Sequence, residues 1–302
     1  MLKHMIDRYL EVRHAAGFEM KVDRGLLHNF ARFATDRAET CVRRQTAIDW
    51  AASAPSPSQR ECRLGMVRRF ADHARAEDPA HETVPQKWFL SRRRRPFPHI
   101  FSPEELLQLL DATAHLGSKT SWRPLTYYTL FGLLAATGMR VSEALHLMMD
   151  DVTTDGLVIR KTKFRKSRML PLHETTEAVL TRYLQQRQTR SGGDPHIFIS
   201  TKGRALTYAM VNRTFKFLVQ HVNSPLKPGQ RLHIHNLRHL FAVRALESCP
   251  GGYDRVTRHI LAVSTYLGHT HVTDTYWYLQ ATPHLMKGIA DACQLFIQGD
   301  KP

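Results

Sequence analysis

Apolar residues recur at helical spacing through the first quarter of the chain. Leu2, Met5, Ile6, Tyr9 and Leu10 form one stripe, which predicts a helix over residues 2–16 ended by Gly17. Leu26, Leu27, Phe30, Phe33 and Ala34 repeat the pattern over 22–38. A shorter helix over 44–53 is broken by 54-APSPS-58. From about Ser58 to Ala76, Leu64, Val67, Phe70 and Ala71 mark a fourth inward face. These four helices predict a small all-helical domain over residues 1–90.

Pro79, Pro85, Pro96 and Pro98 then interrupt helix, and residues 91–100 read as a basic linker. A second domain is expected over 101–302. Ser102, Pro103 and Glu105 supply an N-cap, a first-turn proline and a capping-box acid for a helix over 104–113. A long apolar helix over about 125–136 stops at Gly138, and another opens near Arg140. Between 149 and 172 the period switches to that of strands. Asp155-Gly156 is a turn dipeptide, and strands over about 157–162 and 167–172 flank a polar turn at 164–166, with Lys163 at its neck. Helical patterning returns over 174–189, 207–222, 235–247, 254–266, 271–279 and 283–298. The expected class is mainly α with a small β-sheet.

Charge sharpens this picture. The 302 residues carry a net +16, with a pI near 10. Residues 1–95 hold 19 basic and 12 acidic groups (+7), and residues 96–302 hold 24 and 15 (+9). Both halves are basic, so the excess is not one tail, and a polyanion is the natural partner. Arg43, Arg44, Arg60, Arg63, Arg68, Arg69 and Arg75 crowd the polar faces of the first domain, and Arg92, Arg93, Arg94 and Arg95 stand together in the linker. Beside DNA, such groups would be phosphate ligands. The four cysteines lie far apart without a CxxC pair, which indicates neither a zinc ribbon nor a disulfide framework. No secretory leader and no bilayer-spanning apolar run is visible, so a cytoplasmic protein is expected.

The candidate chemistry is concentrated in four stretches. The last, 266-YLGHTHVTDTYWYL-279, brings two histidines and two tyrosines close to a glycine turn. A phenol, with a pKa of about 10, needs positive charge and proton-handling groups before it becomes a nucleophile. Arg140 and Arg238 offer planar forks for phosphate oxygens. His235 and Arg238, three apart, share a helical face, and Lys163 could reach a leaving oxygen. His233, His235 and His239 invite a zinc reading, but no cysteine or carboxylate accompanies them and Arg238 intervenes.

The boxes 137-TGMRVSEALHL-147, 163-KFRKSRMLPL-172, 235-HNLRHLFA-242 and 267-LGHTHVTDTYWY-278, in this order, resemble those of the tyrosine recombinases of the phage-integrase class. The resemblance covers about residues 101–295. It implies a site-specific recombinase or integrase that cuts and rejoins DNA through a covalent 3′-phosphotyrosine without metal, ATP or other cofactor. Arg140 and Arg238 would grip the scissile phosphate, with Glu143 supporting Arg140. Lys163 would protonate the departing 5′ oxygen, His235 would assist proton transfer and His269 would hydrogen-bond the phosphate. Tyr278, nine residues beyond His269, would be the nucleophile; Tyr276 lies about 200° around the helix from it and is expected to pack instead. The hairpin turn lacks the glycine common in the family, which leaves Lys161 and Lys166 as rivals to Lys163. The resemblance further implies a C-shaped clamp on double-stranded DNA in the nucleoid. A tetramer joined through the C-terminal helix, or that helix packed on its own domain, are both open. Service to a transposing or integrating mobile element is also implied, while the participation of partner recombinases is open. The alternatives are type IB topoisomerase-like relaxation and a catalytically idle DNA-binding accessory protein.

Overall fold

The computed structural model describes residues 1–89, 98–118, 121–160, 167–189, 193–226, 230–248, 253–269 and 271–279. It divides into two compact units, Met1–Pro96 and Phe97–Pro302.

The first unit holds helices α1 (Leu2–Ala15), α2 (Lys21–Thr35), α3 (Arg44–Ala52) and α4 (Pro57–Glu77). Ser56 caps α4 by accepting from the Gln59 N–H, with Pro57 in the first turn, so α4 starts one residue before its expected boundary. The apolar stripes meet in one core around Phe30, Trp50, Leu64 and Phe70.

The second unit is built on α6 (Arg123–Thr137), whose Tyr127, Leu130, Phe131, Leu133 and Leu134 are buried. A helix apolar on most sides must be covered on most sides. Here α5 (Pro103–Ala112), α8 (Glu174–Gln188) and α10 (His235–Glu247) pack against α6. Ser102 and Glu105 form the expected capping box at the start of α5. The short α7 (Val141–Leu145) leads into a three-stranded antiparallel sheet, β1 (Val152–Thr153), β2 (Gly156–Ile159) and β3 (Arg168–Leu170). Leu157 pairs with Leu170 and Ile159 with Arg168. The Asp155-Gly156 turn therefore joins β1 to β2, and β1 is a strand that the two-strand expectation lacked. The remaining helices are α9 (Tyr208–Leu218), α11 (Tyr253–Leu267) and α12 (Thr273–Leu279). Helices α10, α11 and α12 enclose a second small core of Ala242, Val243, Leu246, Ile260, Val263, Leu267 and Tyr278. Among the described residues, no helix is long and apolar enough to cross a membrane. The helix expected over 283–298 lies outside the described residues.

Candidate active site

Two helix ends converge on one guanidinium. Helices α6 and α11 are each followed by a glycine in the left-handed conformation, Gly138 at φ 60° and Gly268 at φ 67°. A Cβ on Gly138 would sit 2.4 Å from Cδ1 of Phe241, and one on Gly268 would sit 2.8 Å from Nη1 of Arg168. Only glycine therefore satisfies both the backbone angle and the space. Arg238, on the first turn of α10, donates from Nη1 to the Gly138 carbonyl at 2.6 Å and from Nη2 to the Leu267 carbonyl at 2.8 Å. It is 3% exposed. The negative ends of two helix dipoles meet this cation, which makes its burial tolerable. Burial, then the nearby Arg140, push its pKa down to about 10, which leaves it charged at neutral pH.

Arg140 stands at the head of α7 and reaches the same turn, donating from Nη2 to the Gly268 carbonyl at 3.1 Å. Glu143 holds it twice, accepting from the Arg140 backbone N–H at 2.9 Å and from its Nη1 at 2.8 Å. Arg168 on β3 reaches the same carboxylate through Nη1 at 3.1 Å and Nη2 at 2.8 Å. Burial opposes ionisation of Glu143, but the Arg168 bonds and the Arg140 N–H outweigh it and hold the carboxyl below its ordinary range. Three guanidiniums (Arg140, Arg168, Arg238) against one carboxylate (Glu143) leave this cluster with a net +2.

Tyr278 lies beside this charge, near enough that its phenolate would raise the Arg238 pKa. It is 2% exposed, whereas Tyr276 is 48% exposed, so the two tyrosines part as their helical spacing predicts. Tyr276 nevertheless faces solvent instead of packing as expected, because its side of α12 is not covered by the core that α10, α11 and α12 enclose. The Tyr278 hydroxyl lies 2.9 Å from Nδ1 of His239, which is itself 7% exposed. The His269 ring stacks parallel to the Tyr278 ring at 6.2 Å between centroids, and His269 Nδ1 is 2.7 Å from the hydroxyl of buried Thr275. Burial first, then Arg238, push the His269 pKa down to about 4, so its ring is neutral at pH 7. His235 is exposed at the start of α10 and meets the His239 ring edge to face at 4.5 Å. The structure thus gathers Arg140, Glu143, His235, Arg238, His269 and Tyr278 into one cluster. Lys163, with its rivals Lys161 and Lys166, lies outside the described residues, as do Arg92, Arg93, Arg94 and Arg95.

In the first unit, Arg43 pairs with Glu82 at 3.2 Å, and Arg44 donates from its backbone N–H to Glu82 and from Nε to the Thr83 carbonyl. These two arginines brace the chain after α4. Arg68 is half-buried and Arg69 exposed on α4. Among the described residues, one group, Cys41, Asp78 and His81, has metal-ligand proximity. However, His81 Nδ1 accepts the Val42 N–H at 3.0 Å, so in the neutral ring Nε2 carries the proton and cannot ligate.

Two members of the cluster were not candidates from sequence. Arg168 lies in the middle of the lysine-hairpin box, and its partner Glu143 lies 25 residues earlier. His239 stands four residues after His235, a spacing that directs attention to metal rather than to a phenol 39 residues away.

The model of the phage integrase family matches residues 99–284. An integrase/recombinase of Sinorhizobium fredii designated y4rB is 36% identical over 299 residues, covering 94% of each chain. A second from the same organism, y4rE, is 33% identical over 305 residues, covering 99% of this chain and 97% of its own. Among solved structures, the XerH site-specific recombinase bound to palindromic difH substrate shares the fold, with a TM-score of 0.66 and 18% identity over 90% of this chain and 78% of that one. A lambda integrase dimer bound to a COC′ core site shares it too, with a TM-score of 0.65 and 17% identity over 92% and 76%. With described residues from its family boxes gathered in one cluster and relatives that match along nearly the whole length, the chain belongs to the phage integrase family and is a tyrosine recombinase, an enzyme of DNA strand breakage and rejoining.

Proposed function

We propose that Tyr278 attacks the scissile phosphate and forms a 3′-phosphotyrosine, with Arg140 and Arg238 as its electrostatic clamp. The observation that carries this reading is the convergence of Arg238 on the turns after α6 and α11 and of Arg140 on the second of these, with Tyr278 close enough to act on the Arg238 charge. Each Arg238 Nη carries a second N–H beyond the one given to a carbonyl, so donors remain for two phosphate oxygens. As the phosphorane forms, negative charge grows on its equatorial oxygens, and the net positive cluster is already in place to meet it. Charge that elsewhere comes from metal ions is here supplied by side chains.

With Thr275 donating to Nδ1, His269 carries its proton on Nε2 and offers it to a phosphate oxygen. His235 faces solvent at the site's edge and would contact the phosphate from there. Lys163, the hairpin lysine, would protonate the leaving 5′ oxygen. It would take the proton back when the 5′ hydroxyl of a partner strand attacks the phosphotyrosine. The bond energy is retained in the covalent intermediate, so strand exchange needs no ATP.

The basic first unit, with Arg68 and Arg69 on α4, and the Arg92–Arg95 run would add phosphate contacts that fix the duplex in register. The lambda integrase neighbours include a dimer on a core site and a tetramer on a Holliday junction, which supports assembly of several copies of this chain on DNA. Contact through the C-terminal segment, and work at the nucleoid for a transposing or integrating element, complete the proposal.

Suicide duplexes selected by covalent capture from a randomised library supply the probe. A plasmid with two directly repeated captured sites resolves into two circles when the wild type is added. Relaxation of a plasmid lacking any site, without resolution, would instead indicate a topoisomerase.

A further inference from the structure

The hydroxyl that must lose a proton has a histidine at hydrogen-bond distance, and it is not His235. His239 follows Arg238 directly on α10, and its Nδ1 lies 2.9 Å from the Tyr278 hydroxyl. Both side chains are buried, and the His239 ring is further fixed by His235 on one side and Trp277 at 5.3 Å on another. A buried phenol next to a fixed imidazole nitrogen is the pairing required of a nucleophile and its base.

We infer that His239 is the proton acceptor for Tyr278 in the cleavage step, an inference that rests on Tyr278 being the nucleophile. With the His239 proton on Nε2, the hydroxyl donates to Nδ1 in the resting state. On attack, the O–H bond breaks and its proton passes to Nδ1 while the Oη–P bond forms. The P–O bond to the 5′ oxygen breaks, and that oxygen leaves with the electron pair and takes a proton from the lysine hairpin. In rejoining, His239 returns the proton to the phenolate as Oη departs. An imidazolium beside Arg238 is costly in the free enzyme. Negative charge on the phosphorane offsets that cost when DNA is bound.

The titratable and charged groups around His239 come from every element packed there. His235 and Arg238 share its helix, Tyr278 is on α12, and His269 precedes that helix. Arg140, Glu143 and Arg168 surround Arg238 from α7 and β3. On α11, His259 bonds the Ala245 carbonyl farther along α10 and Tyr266 stacks on Phe241. The only full charge on α6, Arg123, bonds Thr214 on α9.

His239→Asn tests the role. Asparagine places an acceptor oxygen near the Nδ1 position but cannot take up a proton in this pH range. Single-turnover cleavage of captured suicide duplexes is measured with the ordinary phosphodiester and with a bridging 5′ phosphorothiolate, whose thiolate leaves without an acid. The variant is expected to bind DNA normally, to cleave both substrates about 100-fold more slowly, and to lose the acid limb expected in the wild-type pH–rate profile. His269, already neutral through that range, does not supply the limb. Wild-type rates in His239→Asn, an unchanged acid limb, or full rescue by the phosphorothiolate would overturn the inference. A variant too unstable to bind DNA is replaced by His239→Gln, judged by the same rates. No adduct from the wild type itself would overturn the nucleophile assignment, and this inference with it.

Discussion

Arg238 shows how a charge becomes useful by being held. Its burial would be prohibitive without partners, and the partners are main-chain carbonyls that carry no formal charge. The guanidinium is thereby aimed without being neutralised. Glu143 plays the opposite part, since one carboxylate fixes two arginines. Its folded pKa is depressed, so its stabilising contribution is fully present above the ordinary carboxylate pKa of about 4.3 and is lost as pH falls through the folded value. Glu143→Gln lacks that contribution. Urea melts should show the variant about 3 kcal/mol less stable at neutral pH, with the gap closing on acidification. A gap that is constant with pH would show that charge on Glu143 does not stabilise the fold.

At the scale of elements, the site is assembled by where helices stop. Helices α6 and α11 end at Gly138 and Gly268, and the exposed carbonyls of those ends hold Arg238 and Arg140. Gly138→Ala would force both a left-handed alanine and a clash with Phe241. A loss of roughly 2 to 4 kcal/mol is expected, read as a lower thermal midpoint together with slower cleavage. A midpoint equal to that of the wild type would mean that the turn relaxes freely. These stops were legible in sequence because glycine punctuates an apolar run, and α10 was legible at both ends. Strand β1 was not, because two residues are too few to show a period of two. The division of Tyr276 from Tyr278 followed from helical geometry alone. The bonds of His239 to Tyr278 and of Arg168 to Glu143 did not, because they join residues 39 and 25 apart, and spacing rules reach about one helical turn.

For the whole molecule, positive charge spread over both units is the sequence feature that most directly implies a polyanionic partner. Arg43 and Arg44 spend some of that charge on Glu82 and Thr83, so a count of arginines overstates the groups free to meet DNA. The Arg92–Arg95 run is the densest cationic stretch in the sequence. Replacing Arg92 and Arg93 with alanine should lower the magnitude of the salt slope of DNA binding by about 2. An unchanged slope would show that they do not touch phosphate.

The central claim is that Tyr278 becomes a nucleophile because separated cationic side chains surround one phosphate. Mass mapping of the peptide joined to a captured suicide duplex, in buffer containing EDTA and no nucleotide, tests it most directly. The expected result is a single phosphotyrosine at Tyr278, absent when Tyr278→Phe is used although DNA is still bound. DNA attached to any other residue, or an adduct that requires a divalent ion, would contradict it.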